Sequence, residues 1–236
     1  MSTPDLHLTT LYVLDDAGRI TATREPGASP GPLVTLVRGA SGCAWAVRAD
    51  VPHDIAGELD DLARAEPPGM DLRSAPVYAE RYVSLLEGWI WTGQPAGARL
   101  CQAGGPAFAF PAGIAPPADA MIVEDERLLQ RNFRGWVAGE IAAGRAPVMA
   151  ICEDGYPVSI CFCARRADSA AEAGLETAAA WRGRGFGPRV TAAWACAVRA
   201  SGRIPLYSTA WTNHASLTVA RKLGLIAYAS SWSLSD

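Results

Sequence analysis

The chain almost lacks lysine: Lys222 is the single one, and the remainder of its 21 basic residues is arginine. Against 24 acidic residues this leaves a formal charge of −3, so no global basic field exists to neutralise phosphates, which argues against a nucleic-acid partner. Histidine is scarce, at three residues, and the six cysteines form no Cys-x-x-Cys pair. A zinc-type site needs clustered ligands, so no metal is expected. No apolar run approaches the roughly 18 residues of a membrane span. Nor does any N-terminal stretch combine a basic start, an apolar run and a small-residue cleavage site. A cytoplasmic protein without membrane contact is the expectation.

Hydrophobic residues are plentiful. They make up half of the 236-residue chain, enough for a substantial core in one large domain or two small ones. The arginine bias, with abundant Ala, Gly and Pro, is what a GC-rich bacterial genome would encode. Cys161 and Cys163 alternate around Phe162, which places both on one face of a strand as core packing. Cys196, among Ala192, Ala193 and Ala197, reads as helix packing.

Local patterns give a chain of elements. Leu8 to Leu14 reads as a strand, Asp15 to Gly18 as a turn and Arg19 to Thr23 as the returning strand. Pro26 to Pro32 is a loop, and Leu33 to Val37 with Cys43 to Arg48 forms a second hairpin. Ile55, Leu59, Leu62 and Ala63 fall at helical spacing before the Pro67-Pro68-Gly69 stop. A helix over Val77 to Leu86, strands at Glu87 to Thr92 and Ala107 to Phe110, and a linker at Pro111 to Pro117 complete the first part. The domain boundary is placed there, giving domains of residues 1–116 and 117–236. The second part reads as a helix over Glu124 to Ala143, strands at Pro147 to Cys152, Val158 to Ala164 and Glu172 to Ala178, and a helix from Gly185 to Ala200. A strand at Leu206 to Ala210, a helix from Asn213 to Leu223 and a strand at Leu225 to Leu234 follow. Such alternation implies an α/β (α+β) fold with a mixed sheet flanked by helices.

One segment carries chemistry. In Arg182-Gly-Arg-Gly-Phe-Gly187 the glycines fall where a strand ends and a helix begins, leaving backbone N–H groups free to converge on an anion, with Arg182 and Arg184 adding charge. Any strand-to-helix turn can carry glycines, so the loop alone does not distinguish a ligand site from a structural corner. The Gly-x-Gly-x-x-Gly spacing is absent, and no Lys-Ser or Lys-Thr follows the last glycine, so neither standard nucleotide pattern fits.

The segment resembles the acyl-coenzyme A loop of the GNAT superfamily of N-acetyltransferases, Arg/Gln-x-x-Gly-x-Gly/Ala, filled by Arg182, Gly185 and Gly187 after the aromatic Trp181. The resemblance extends over residues 117–236. Leu175-Glu-Thr177 matches the place where that family's strand splays and offers backbone groups to the pantetheine arm. Asn213, Ser216, Val219, Lys222, Gly224 and Leu225 match its Asn-led closing helix. It implies a mostly antiparallel mixed sheet and acetyl-CoA as co-substrate, held by Leu175, Glu176, Thr177, Arg182, Gly183, Arg184, Gly185, Phe186, Gly187, Asn213 and Ser216. The Thr177 amide resembles the family's oxyanion donor. One departure stands out: the tyrosine that protonates the departing thiolate in many members is Ala220 here, and Tyr228, Ser216 or a water could replace it.

Acetyl transfer needs a neutral amine, hence a base. Strand periodicity puts Glu172, Gly174 and Glu176 on one face of the strand leading to the loop. Glu176 is the first candidate base and Glu172 the second, with Tyr228 the candidate acid. The alternative for Glu176 is a pairing with Arg165 or Arg189, or with a cationic acceptor. Ser208 and Thr209 lie on a strand near the cleft. Residues 1–116 carry no catalytic constellation, and read as a degenerate acetyltransferase-like half or as an unrelated binding or dimerisation module, which leaves a homodimer open. Two functions follow: N-acetylation of a small-molecule, amino-acid or peptide amine, or a coenzyme-A-binding sensor that has lost turnover.

Overall fold

The computed structural model describes residues 3–69, 71–93 and 99–236. The N-terminal part runs α1 (Pro4–Leu11), β1 (Tyr12–Leu14), β2 (Ile20–Thr23), β3 (Val34–Gly39), β4 (Gly42–Val47), α2 (His53–Ala65), α3 (Ala79–Gly93) and β5 (Cys101–Ala109). The C-terminal part continues with β6 (Ala120–Ile122), β7 (Met149–Glu153), β8 (Tyr156–Arg166), β9 (Ala170–Thr177), α4 (Phe186–Ala200), β10 (Ile204–Ser208), α5 (His214–Lys222) and β11 (Ile226–Ser235).

β1 and β2 form a separate hairpin, and the other strands make one sheet in the order β4-β3-β11-β5-β10-β9-β8-β7-β6. Its pairings are antiparallel except for β9 with β10. This is the mixed, mostly antiparallel sheet expected. Residue 116 falls in an irregular stretch between β5 and β6, yet the strands on its two sides interleave. β5 lies between β10 and β11, and β11 lies between β3 and β5.

Alternation along the strands decides which face each helix covers. α4 places Val190, Trp194 and Val198 at four-residue spacing, all fully buried, on the side of Cys161, Cys163, Ala171 and Phe110. Trp194 is therefore core, as are both strand cysteines, whose thiols burial holds above the ordinary range, Cys163 at about 11. α1 packs on the opposite face, where Leu8 meets Ala107 and Ala229. Leu129, Phe133 and Trp136 cover the same face farther along, against Ile160.

Three readings of the sequence are corrected. Leu8 to Leu11 belongs to α1, not to a strand: the Thr3 hydroxyl accepts from the Leu6 amide and Pro4 opens the first turn, a local start signal stronger than the apolar run after it. Glu87 to Thr92 continues α3, with Tyr82, Leu86 and Ile90 buried at four-residue spacing. Glu124 to Ala143 is not a helix. It holds a short 3₁₀ turn at Glu126–Leu128 and a π-type turn at Ile141–Arg145. The Glu126 carboxylate accepts from the amides of Gly139 and Ile141, and Gly139 sits at φ +93°, so this carboxylate takes the place of helical carbonyls.

Candidate functional site

β9 and β10 pair at Ile204↔Ala170, Pro205↔Ala171 and Leu206↔Glu172, and there the parallel ladder stops. β9 continues beside β8 as far as Ser159↔Thr177, while β10 continues beside β5 as far as Ser208↔Ala107. Each strand follows its antiparallel neighbour, so the parallel pair opens like a V. A cleft of about 650 Å³ occupies the opening.

The backbone of β9 lines one wall. The Ala178 amide bonds the Val158 carbonyl at 2.9 Å, which fixes the ladder's phase: amides of Glu176 and Gly174 face β8 in alternation with it. The amide of Ala173 closes the parallel ladder on Leu206, and those of Leu175 and Thr177 consequently point toward the gap left by β10. These two donors form a short row along the cleft.

That row leads into the loop. After a 3₁₀ turn at Ala179–Trp181, Arg182 Nε donates to the Thr177 carbonyl at 3.1 Å and ties the loop to the strand end. Gly183 and Gly185 adopt φ of +79° and +82°. A Cβ at Gly185 would meet nothing within 4 Å, so the left-handed backbone rather than crowding selects glycine there. Gly185 is the N-cap of α4 and offers no capping side chain, which leaves the first-turn amides of Phe186 and Gly187 to an outside acceptor at the positive end of the helix. The Arg184 guanidinium stacks 4.5 Å above the Trp181 ring and keeps positive charge beside the loop.

The other wall is β10 and α5. Asn213 Oδ1 accepts from the Ser216 amide at 3.1 Å and starts α5, as its position in the sequence suggested. Tyr207, which the sequence reading passed over, lines the cleft, and its hydroxyl lies 2.6 Å from Ser216 Oγ. Burial pushes the Tyr207 hydroxyl up to about 12 against the effect of that hydrogen bond, so it is protonated at neutral pH. Its signal was the apolar Leu206-Tyr207 pair, which reads equally well as core. Ala220 is 1% exposed, within the core below α5.

The structure thus gathers Leu175, Glu176, Thr177, Arg182, Gly183, Gly185, Phe186, Gly187, Asn213 and Ser216 around one cleft, while Arg184 stands outside the lining. Glu176 is exposed and, among the described residues, has no ion pair. The arginines considered as its partners are engaged elsewhere, Arg165 with Glu25 and Glu172 and Arg189 with Asp119. Glu172 is 3% exposed: Arg165 donates to one oxygen at 3.1 Å and Ser208 Oγ to the other. It does not line the cleft, although Ser208 does. No group of metal-binding side chains occurs among the described residues, and no described helix is long and apolar enough to cross a membrane.

Tyr228 also lies outside the cleft lining. Its hydroxyl sits 2.9 Å from His7 Nδ1, and burial, then the Glu172 charge, raises its pKa. His7 is fully buried on α1 with Nε2 unpartnered among the described residues. Burial lowers the His7 pKa below 6.5, Arg165 lowers it further and Glu172 opposes. The unfolded chain takes up a proton on His7 near pH 6.5 and the folded chain only at lower pH, so acidification through that window favours unfolding. Stability is therefore expected to fall below pH ~6.5 by up to about 1.4 kcal/mol per pH unit. Chemical denaturation of His7→Gln from pH 7.5 to 5.5 checks this: the variant's curve flattens, whereas parallel curves would contradict the assignment.

A parallel strand pair that splays beside an uncapped helix N-terminus leaves backbone amides of both elements free to meet an anion, an arrangement of the α/β class. No family model matches the sequence, and no curated protein matches it. Solved structures do. A protein described as a GNAT-family acetyltransferase from Novosphingobium aromaticivorans is 19% identical with a TM-score of 0.49, covering 60% of this chain and 68% of its own. A GCN5-related N-acetyltransferase-like protein from Streptococcus suis is 16% identical with a TM-score of 0.48, over 86% of this chain and 84% of its own. A tandem GNAT protein from the clavulanic acid biosynthesis pathway is 13% identical with a TM-score of 0.43, over 98% and 87%.

Proposed function

We propose that the chain is an acetyl-CoA-dependent N-acetyltransferase of the GNAT type. The observation that carries this reading is the opening of β9 from β10, with the free amides of Leu175 and Thr177 in a row that leads into the uncapped start of α4. Such a row suits an acyl-pantetheine arm, and the Gly183 to Gly187 amides suit its pyrophosphate. Bound there, the thioester supplies an activated acyl group and a good leaving group.

The chain's own residues do the remainder. The Thr177 amide, pointing into the gap, polarises the acyl oxygen. Glu176 takes the proton of the incoming amine, directly or through water, from the sheet face opposite α4. The Tyr207 hydroxyl, paired with Ser216, donates a hydrogen bond to the departing sulfur in place of the side chain that Ala220 lacks. Buried, protonated thiols play no nucleophilic part in this scheme. The acceptor is a primary amine of a small molecule, amino acid or peptide. A coenzyme-A sensor without turnover is the second reading, favoured by Ala220 alone, and free-thiol release on offering amines separates the two.

Glu176→Gln is expected to slow acetylation about a hundredfold at pH 7 and much less at pH 9.5, where the acceptor is already largely neutral. Thiol release measured across that range tests it. Equal losses at every pH would remove Glu176 as the base.

A further inference from the structure

A second cavity, of about 200 Å³, lies between β3, the segment of Leu72 to Ala75, β5 and β11. Its wall includes Arg38, Arg73, Ser74, Gln102, Trp211 and Trp232, and among the described residues no aspartate or glutamate lines it. Trp232 packs on Tyr82 of α3, so the cavity opens on the sheet face that carries α2 and α3.

Two of its wall residues each carry one buried donor atom without an acceptor among the described residues. Arg38 is 3% exposed; Glu66 stands 3.5 Å from Nη1, Nη2 donates to the Ser74 carbonyl, and Nε has no partner among the described residues. Trp232 is 5% exposed and its Nε1 is likewise unpartnered. A buried donor left without an acceptor is unfavourable, and two of them belong to residues of this one wall, where acceptor oxygens would satisfy them. Glu66 already balances Arg38, and the unbalanced charge comes from Arg73. Its guanidinium lies 4.6 Å over the Trp211 ring and has no ion pair among the described residues. Among the described residues the Asp71 carboxylate accepts only the Arg73 backbone amide, and Asp71 stays outside the lining.

We propose that this cavity binds a small organic carboxylate. Arg38 Nε and Trp232 Nε1 donate to its oxygens, and Arg73, held flat by Trp211, supplies the compensating charge. The volume limits the ligand to an acid of about two to five carbons. Trp211 belongs to the turn between β10 and α5 whose ends, Thr209 and Asn213, line the acyl cleft, so the carboxylate site and the cleft share that turn without sharing a lining residue. The assignment stands apart from the acetyltransferase reading.

Indole N–H signals of the eight tryptophans in a ¹⁵N-labelled chain provide the test, with acetate, pyruvate, malonate and glutarate as probes and sodium chloride at matched ionic strength as control. Loss of one signal in Trp232→Phe identifies that indole. At least one acid is expected to shift the Trp232 signal saturably, and Arg73→Ala to weaken it about tenfold or more, with partial recovery in Arg73→Lys. Arg73 is exposed, so these variants keep the fold, and unchanged coenzyme A affinity confirms it. Shifts that merely follow ionic strength, no saturable shift with any acid, or equal affinity in Arg73→Ala would overturn the proposal.

Discussion

Gly185→Asp is expected to lose at least about a hundredfold of its affinity for coenzyme A, because it sets a negative charge among amides arranged for a pyrophosphate. The substitution is informative because the site has room for the side chain and the backbone strain it adds is shared by the control variant. Gly185 sits at φ +82° with nothing within 4 Å of a Cβ, and aspartate and asparagine are the side chains that best accept this backbone region. Gly185→Asn has the same shape without the charge and is expected to lose much less. Calorimetry on the two variants separates charge from shape. Unchanged affinity in Gly185→Asp would remove the loop from the binding site.

Tyr207→Phe is expected to lower kcat by about a hundredfold with little change in KM, the mark of a group that acts on the departing sulfur rather than on binding. The ring stays, packed against Phe108 and Phe110, so only the hydroxyl and its bond to Ser216 are lost. That bond contributes about 1 kcal/mol of stability, too little to unfold the chain. Tyr228→Phe is the counterpart: its hydroxyl faces His7 and not the cleft, so kcat is expected to stay within about twofold, a change below 0.5 kcal/mol. An unchanged kcat in Tyr207→Phe would contradict the assignment.

The C-terminal half was legible where pattern and punctuation agree. β7 to β11, α4 and α5 fall where the alternation, the glycines and Asn213 place them. The misreadings occurred where two signals compete. Leu8 to Leu14 is an apolar run with no turn signal of its own, and the Thr3-Pro4 start that decides it lies just before it. Trp89-Ile90-Trp91 has strand-like composition, yet Tyr82, Leu86 and Ile90 already set a helical period that carries through it. In Glu124 to Ala143 the apolar spacing was real, since Leu129, Phe133 and Trp136 are buried together, but the reach of the Glu126 carboxylate across thirteen and fifteen residues is a tertiary fact.

At the site, the loop and the strand before it were readable because their glycines and order are local. The commitments of Glu172, Arg165 and Arg189 were not, because their partners Ser208, Glu25 and Asp119 come from distant segments. Tyr207 was hidden for the same reason: only the termination of the β9–β10 ladder turns a core-like strand residue into a cleft wall.

Hydrogen exchange with and without coenzyme A tests the central claim most directly, since the claim concerns particular backbone amides. Slowed exchange is predicted for peptides covering Leu175 to Thr177 and Gly183 to Gly187, with the peptides over Glu124 to Ala146 unchanged. Protection confined to other segments, or none at all at saturating coenzyme A, would contradict it.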